Sequence, residues 1–225
     1  ASVSASGDQS IDGLLSGVRW ADGSITYSDP DSSFDYQTSW NYDGDGDGVS
    51  AQFDGFSQLT AQQMITLHFA LNASIYTQPA NSGGFSVEGF TNLSLTYAGS
   101  GSGNGTIRVA NSDDPGTAYA FYPNNGVRGG DSFMGGAGDF PTAGNYDWQT
   151  IIHEMGHSLG LAHGHTGGAY GASPSSEDSL EWSTMTYRSY IGGPTSGYTY
   201  ETWGAPQTFM RNDILALQYM YGADY

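Results

Sequence analysis

Three histidines and one glutamate in the segment 153–163 have the types and spacing that metal chemistry requires. The segment reads HEMGHSLGLAH. His153 and His157 are four residues apart, so on a helix they project from the same face, about one turn apart. That separation allows two imidazoles to bind one zinc ion. Gly160 permits a left-handed backbone and a sharp turn, which would bring His163 to the same ion.

Glu154 could complete a hydrolytic site. Three neutral imidazoles leave the fourth position of a tetrahedral zinc ion open for water, as in catalytic rather than structural sites. Zinc lowers the pKa of bound water from 15.7 toward ~7. Glu154 directly follows the first histidine, and its carboxylate could take a proton from that water and pass it to a leaving amine. The sequence therefore predicts zinc ligands at His153, His157 and His163, with Glu154 as the general base.

The pattern is specific. With five histidines, five glutamates and 34 glycines in 225 residues, its five positions arise by chance with a probability on the order of 10⁻⁵. The alternative is a helix with two surface histidines that bind nothing, and it leaves Gly160 and His163 without a role.

The elements that must position these residues follow from the hydrophobic spacing. Helical periodicity predicts three helices, at about 61–75, 145–159 and 210–221. Alternating or apolar runs between turn residues predict strands at 24–27, 85–87, 93–97, 106–109 and 117–121. This order predicts an α+β domain with a mixed sheet. The stretch 164–206 reads mostly as loop, a length that usually serves a function.

The composition excludes several classes of protein. Without cysteine the chain has neither disulfides nor thiolate chemistry. Its 23 acidic and five basic residues give a net charge of −18, which would repel nucleic acid and anionic membranes. Its apolar runs are far shorter than the roughly 20 residues that cross a bilayer. We therefore expect no nucleic-acid partner, no membrane insertion and a monomer, and the Gly-, Ser- and Asp-rich composition favours a secreted, extracellular protein.

The extended zinc motif is that of the metzincin metallopeptidases, and further segments resemble the serralysin branch. The sequence STMTY at 183–187 resembles the Met-turn beneath the zinc ion of that clan. The segments 11–20, 118–123 and 213–222 resemble the entry, the substrate-binding edge strand and the closing helix of serralysin protease domains. The resemblance spans nearly the whole chain, and it does not include the C-terminal calcium-binding β-roll of serralysins. The chain would be either a proteolytic domain freed from a longer precursor or a single-domain relative.

The resemblance implies a fold and an activity. It implies one metzincin-like zinc protease domain over 1–225, with a mixed twisted sheet, an edge substrate strand, an active-site helix and a C-terminal helix. Its N-terminal subdomain would span about 1–160 and its C-terminal subdomain about 161–225. The activity would be that of a secreted zinc endopeptidase acting on extended polypeptides.

The family also implies two residue roles. Tyr187 would be a further zinc ligand that moves away when substrate arrives and stabilises the oxyanion, and Met185 would pack beneath the zinc ion. The chain departs from the serralysin pattern at one position that marks the subfamily. Serralysins usually have proline after the third histidine, whereas this chain has Gly164 and His165. His165 is interpreted as a loop residue.

The sequence DGDGDG at 43–48 predicts a second metal site. Asp43, Asp45 and Asp47 alternate with glycines, as carboxylates do in calcium-binding loops. Because three carboxylates this close repel one another unless a cation intervenes, calcium is the favoured interpretation. The alternative is a solvated acidic turn.

Two alternative functions fit parts of the sequence. A calcium-stabilised, non-enzymatic surface- or carbohydrate-binding domain would fit the many tyrosines, glycines and acidic turns, but it does not explain the zinc motif. A matrixin or astacin relative is the second alternative. Astacins have glutamate where this chain has Gly164, and matrixins lack a counterpart of Tyr187.

Overall fold

The computed structural model describes residues 1–36, 42–73, 84–101 and 105–225, and in these ranges it contains five strands and five α-helices. The strands are β1 (Ser24–Ser28), β2 (Ser94–Tyr97), β3 (Ile107–Asn111), β4 (Ala118–Ala120) and β5 (Ser132–Met134). The helices are α1 (Gln9–Asp12), α2 (Ala61–Leu71), α3 (Val87–Phe90), α4 (Tyr146–Leu159) and α5 (Arg211–Tyr221).

The five strands form one mixed sheet in the order β2-β1-β3-β5-β4. The first four of these run parallel, and β4 pairs antiparallel with β5, where Tyr119 lies opposite Phe133. β4 therefore lies at an edge of the sheet that the described residues form. The prediction of helices with a mixed sheet is confirmed, and the strand predicted at 117–121 corresponds to β4.

Helix α4 packs against α2, β4 and β5. Ile151, Ile152 and Met155 of α4 are completely buried, and Leu67 of α2 is buried in the same core. Four of the five α-helices in the described ranges begin at a polar cap, and α5 begins at Met210. The amide of Trp148 donates to the Asn145 side chain at 2.9 Å at the start of α4, which satisfies a backbone donor that the helix cannot pair itself.

Three parts of the secondary structure differ from the sequence prediction. The strand at 85–87 is wrong: Val87 begins α3, because Ser86 caps this single turn by accepting from the Gly89 amide at 3.0 Å. The short elements α1 and β5 were not predicted. Helix α2 ends at Leu71 with Asn72 as its C-cap, so the predicted continuation is wrong at residues 72 and 73, while 74 and 75 lie outside the described residues.

The long segment between α4 and α5 agrees with its prediction. Residues 161–210 are all described and contain no helix or strand. None of the helices in the described ranges combines the length and apolar character needed to span a membrane.

The end of α4 depends on Gly160. Its φ is +106°, and a Cβ placed on it would lie 2.4 Å from the carbonyl oxygen of Val18. We expect Gly160→Ala to lower the free energy of unfolding by about 2–4 kcal/mol, because it adds a close contact to the strain of a left-handed backbone. Urea unfolding of the metal-free chain would measure this.

Gly7→Ala is the matched control. Gly7 has a φ of +89° and nothing within 4 Å of its Cβ position, so this variant carries only the backbone strain. A Gly160→Ala variant no less stable than Gly7→Ala would contradict the role of the Val18 contact.

Candidate metal centre and cleft

Helix α4 presents two histidines on one buried face. The exposed fraction is 6% for His153 and 7% for His157, and their ring centroids are 4.7 Å apart. Gly160 then turns the chain back, so that the Leu161 amide bonds to the Gly156 carbonyl at 2.8 Å. This turn directs the following residues toward the face that carries the two histidines.

His163 meets the two helical histidines after this turn. Its Nε2 atom lies 3.1 Å from Nε2 of His153 and 3.0 Å from Nε2 of His157. Two nitrogens bound to one tetrahedral zinc ion at the usual distance lie about 3.3 Å apart. The three side chains thus have the donor type and spacing of a zinc ligand set.

Backbone carbonyls fix the tautomers of both helical histidines. His153 Nδ1 lies 2.8 Å from the carbonyl oxygen of Thr184, and His157 Nδ1 lies 2.7 Å from that of Leu161. A carbonyl oxygen can only accept a hydrogen bond, so both Nδ1 atoms carry the proton. Each Nε2 atom therefore turns an unprotonated lone pair toward the other imidazoles, as a metal ligand must.

Burial also keeps the three imidazoles neutral. It lowers the pKa of His153 to about 4 and the pKa of His163 to about 3. The pKa of His157 falls well below its ordinary value, first through burial and then through His153 and His163. Metal binding requires neutral imidazoles, so these shifts favour binding near neutral pH.

Glu154 lies in the wall of the cleft with a buried carboxylate. Its exposed fraction is 6%, and Oε2 has no hydrogen-bond partner among the described residues. Burial raises the pKa of Glu154 to about 8. A buried, unpaired carboxylate oxygen is costly, so its position beside the three imidazoles suits a group that exchanges protons during a reaction.

Tyr187 covers the other side of the three imidazoles. Its ring centroid is 4.7 Å from that of His163 and 4.5 Å from that of His165. Its amide donates to His165 Nδ1 at 3.2 Å. His165 lies in a turn, as the sequence indicates, but it also packs against Tyr187. Burial, and then the charge of Glu154, raise the pKa of Tyr187 above its ordinary value, so its hydroxyl is a proton donor at neutral pH.

Met185 lies directly beneath α4. It is completely buried, and a Cβ placed on Gly156 would lie 2.5 Å from its sulfur atom. Glycine at this helix position therefore makes room for the methionine under the three imidazoles.

Asp213, at the start of α5, holds the turn that carries Met185. Its carboxylate accepts from the Thr184 amide at 2.8 Å and from the Ser183 hydroxyl at 2.6 Å. It also accepts from the Thr184 hydroxyl and the Met210 amide. Because the Thr184 carbonyl orients His153, Asp213 supports the metal centre from behind. Sequence reasoning missed it, since an aspartate near a helix start is common.

The cleft beside the three imidazoles encloses about 530 Å³. Its walls combine Ala118 of β4, helix α4 and the 161–210 segment, and they include Tyr146, Tyr198 and Tyr200. Tyr200 donates to Gln149 at 2.9 Å. The loop tyrosines were not predicted as site residues, because no motif marks them. Tyr122, whose ring lies 5.6 Å from that of His157, is a further neighbour of the centre that the sequence did not single out.

The acidic residues 43–48 form a different arrangement from the one predicted. Asp43 and Asp45 group with Asp114, whereas Asp47 groups with Asp45 and Asp54; within each group the ligand oxygens lie within 4.8 Å of one another. The contribution of Asp114 could not be predicted, because it is distant in sequence.

Comparison with known proteins supports the resemblance that the motifs indicated. Serralysin C from Dickeya chrysanthemi is 37% identical over 118 residues, which cover 48% of this chain and 23% of that protein. Serralysin from Proteus mirabilis is 38% identical over 122 residues, covering 48% of this chain and 24% of its own. Serralysin G from Dickeya chrysanthemi is 29% identical over 191 residues, covering 76% of this chain and 36% of its own.

No family model matches the chain. The alignments span only 23% to 36% of the length of these curated relatives. The three imidazoles and the buried carboxylate form a candidate metallohydrolase centre. The chain is similar to serralysin-type metallopeptidases, which confirms the predicted resemblance.

The link through Asp213 can be tested by stability. We expect Asp213→Ala to lower the free energy of unfolding by about 2–4 kcal/mol, because the buried Thr184 amide and the partly buried Met210 amide lose their acceptor. Denaturant unfolding would measure the change. Asp22→Ala, at an exposed aspartate, should change it by less than about 0.5 kcal/mol. Equal stability of the two variants would contradict the anchoring role.

Proposed function

We propose that this chain is a metzincin-like proteolytic domain that hydrolyses peptide bonds with zinc and acts outside the cell. The observation that carries the proposal is that Nε2 of His163 lies 3.1 and 3.0 Å from the Nε2 atoms of His153 and His157. The buried Glu154 lines the same cleft as His153. The similarity to proteins named serralysin and metallopeptidase supports it. The non-enzymatic alternative does not account for this convergence.

His153, His157 and His163 would hold the zinc ion. When bound, zinc polarises a carbonyl oxygen and lowers the pKa of water, which makes hydrolysis possible near neutral pH. The carbonyls of Thr184 and Leu161 orient the first two ligands, and such second contacts raise ligand basicity.

Glu154 would transfer the proton. Burial alone raises the pKa of Glu154 to about 8, but a divalent cation held by the neighbouring histidines would lower it and favour the ionised carboxylate. Its Oε2 atom has no partner among the described residues, so the ionised carboxylate could accept a proton from the attacking water. It then returns this proton to the nitrogen of the leaving amine, which departs as a neutral group. Tyr187, with its pKa raised, keeps its hydroxyl proton and donates a hydrogen bond to the oxyanion that develops on the carbonyl.

The substrate would be an extended polypeptide. β4 ends the sheet, so its outer edge can pair with a peptide backbone as an added strand. The neighbouring cleft is lined by the neutral side chains of Tyr146, Tyr198 and Tyr200, which suits an uncharged substrate side chain.

The same cleft suggests how the chain is divided. Its walls come from Ala118 and α4 on one side and from Tyr187 and the 195–200 segment on the other. This supports a single domain over 1–225 with an N-terminal subdomain of about 1–160, a C-terminal subdomain of about 161–225 and the substrate between them.

Replacing the proposed base separates catalysis from metal binding. We expect Glu154→Gln to retain one zinc ion per chain and to lower kcat/KM by about 10²–10⁴-fold, because the amide cannot accept the proton. Elemental analysis and hydrolysis of casein or a quenched peptide would measure the two quantities. Glu181→Gln, at an exposed glutamate, is the matched control and should behave as the parent. Hydrolysis at the parent rate in zinc-loaded Glu154→Gln would disprove the assigned base.

Tyr187→Phe tests the second role. It removes only the hydroxyl, so kcat should fall about 10²-fold while KM changes little, because the hydrogen bond forms to the oxyanion rather than to the ground state. The control is Tyr190→Phe, since Tyr190 is 57% exposed and lines no part of the cleft. A rise in KM at unchanged kcat would instead indicate a role in substrate binding.

A further inference from the structure

A second cluster of acidic side chains lies around Gly44. Asp43, Asp45 and Asp114 bring carboxylate oxygens within 4.8 Å of one another. Asp114 follows β3 and is about 70 residues away in sequence, yet its Oδ1 atom accepts from the amides of Gly44 and Asp45 at 2.7 and 3.2 Å. The fold thus brings a distant carboxylate to the loop.

The decisive member of the cluster is Asp114, which is only 2% exposed. Its Oδ2 atom is buried and accepts no hydrogen bond from any described residue. A Cβ placed on Gly44 would lie 2.8 Å from Oδ2, so this oxygen faces the loop between Asp43 and Asp45. A buried, ionised oxygen in this position is strongly unfavourable unless a cation or a donor meets it.

The surrounding protein supplies no such compensation within the described ranges. The Tyr119 hydroxyl lies near Asp114, and burial together with this carboxylate raises the pKa of Tyr119. Its single hydrogen, however, is donated to the Tyr42 carbonyl at 2.7 Å, which leaves Asp114 Oδ2 without a donor in the described part of the chain. None of the ion pairs formed among the described residues includes Asp45 or Asp114. Two further acidic residues add negative charge nearby, because Asp47 and Asp54 bring carboxylate oxygens within 4.8 Å of Asp45.

We propose that Asp43, Asp45 and Asp114 bind a calcium ion. Carboxylate oxygens are ligands for hard cations, whereas zinc favours nitrogen and sulfur. Calcium accepts six to eight oxygen ligands in irregular geometry, and water or backbone carbonyls commonly complete its shell, whereas magnesium demands a near-ideal octahedron. A group drawn from a glycine-rich loop and a distant turn therefore fits calcium better than magnesium.

A bound calcium ion would stabilise the position of the 42–48 loop against β4, the edge strand of the sheet. Gly46 and Gly48 have φ values of +84° and +91°, and their amides donate to the Asp43 carboxylate at 2.6 and 3.1 Å. The turn thus holds Asp43 in the group with Asp45 and Asp114. The Tyr42 carbonyl in the same loop accepts from Tyr119 of β4. Calcium would thus stabilise the edge strand, which also borders the cleft.

Thermal unfolding of the whole chain tests the proposal. In buffer freed of calcium, with zinc content monitored and constant, CaCl₂ at about 100 times its Kd should raise Tm by roughly 5–10 °C. The same concentration of MgCl₂ should have a smaller effect. An unchanged Tm in CaCl₂ would overturn the proposal. The measurement needs no catalytic activity, so it is independent of the proposed peptidase function.

Variants locate the site. Asp114→Asn keeps an oxygen acceptor for the Gly44 and Asp45 amides but removes the carboxylate charge, and Asp45→Asn alters an exposed residue that should not disturb folding. Each should weaken calcium affinity at least tenfold, measured by the displacement of Tb³⁺ luminescence sensitised by nearby tyrosines. Asp22→Asn should bind as the parent does. The proposal fails if both variants retain parent affinity, or if Asp47→Asn abolishes binding while Asp114→Asn does not.

Discussion

The close approach of three imidazole nitrogens sets the main constraint on this structure. Nε2 of His163 lies 3.1 and 3.0 Å from those of His153 and His157. The Nδ1 atoms of His153 and His157 donate their protons to backbone carbonyls, so their Nε2 atoms direct unprotonated lone pairs toward His163. Burial lowers the pKa of each ring, so the three imidazoles stay unprotonated despite their close contact. A divalent cation bound by the three Nε2 atoms would satisfy these lone pairs, and the surrounding residues hold the three rings in place for it.

The support comes from both sides of α4. In front, the Gly160 turn returns the chain toward the imidazoles. Behind, Met185 fills the space that Gly156 leaves, and Asp213 anchors Thr184, whose carbonyl orients His153. The contact that orients a ligand thus depends on a helix almost sixty residues further along the chain. Such supporting contacts keep a ligand within the narrow range of geometry that a metal requires.

The sequence predicted the parts of the molecule that local rules determine. The periodicity at 145–159 and the glycine that follows it predicted α4 to within a residue. The strand at 85–87 was wrong because one capping serine decides a single helical turn. β5 is only three residues long and wholly buried, so its pairing with β3 and β4, rather than any sequence pattern, makes it a strand.

In the candidate site, too, local sequence predicts some residues and tertiary packing determines the others. His153, His157 and His163 come together because the helix and turn are local, and the motif encodes both. Asp213 and Tyr200 come from distant segments without a recognisable pattern, so only tertiary packing reveals them.

The two candidate metal sites follow one physical logic. At 153–163 the fold brings together neutral imidazoles whose lone pairs lack a partner when no cation is present. Around Gly44 it brings together carboxylates, which repel one another without a cation. A chain with a net charge of −18 and five basic residues has few side-chain cations to spare. Arg108 is already held by the buried carboxylate of Asp131 at 2.6 Å. Dissolved cations are then the available counter-charge for Asp114, and folding would become coupled to their concentration.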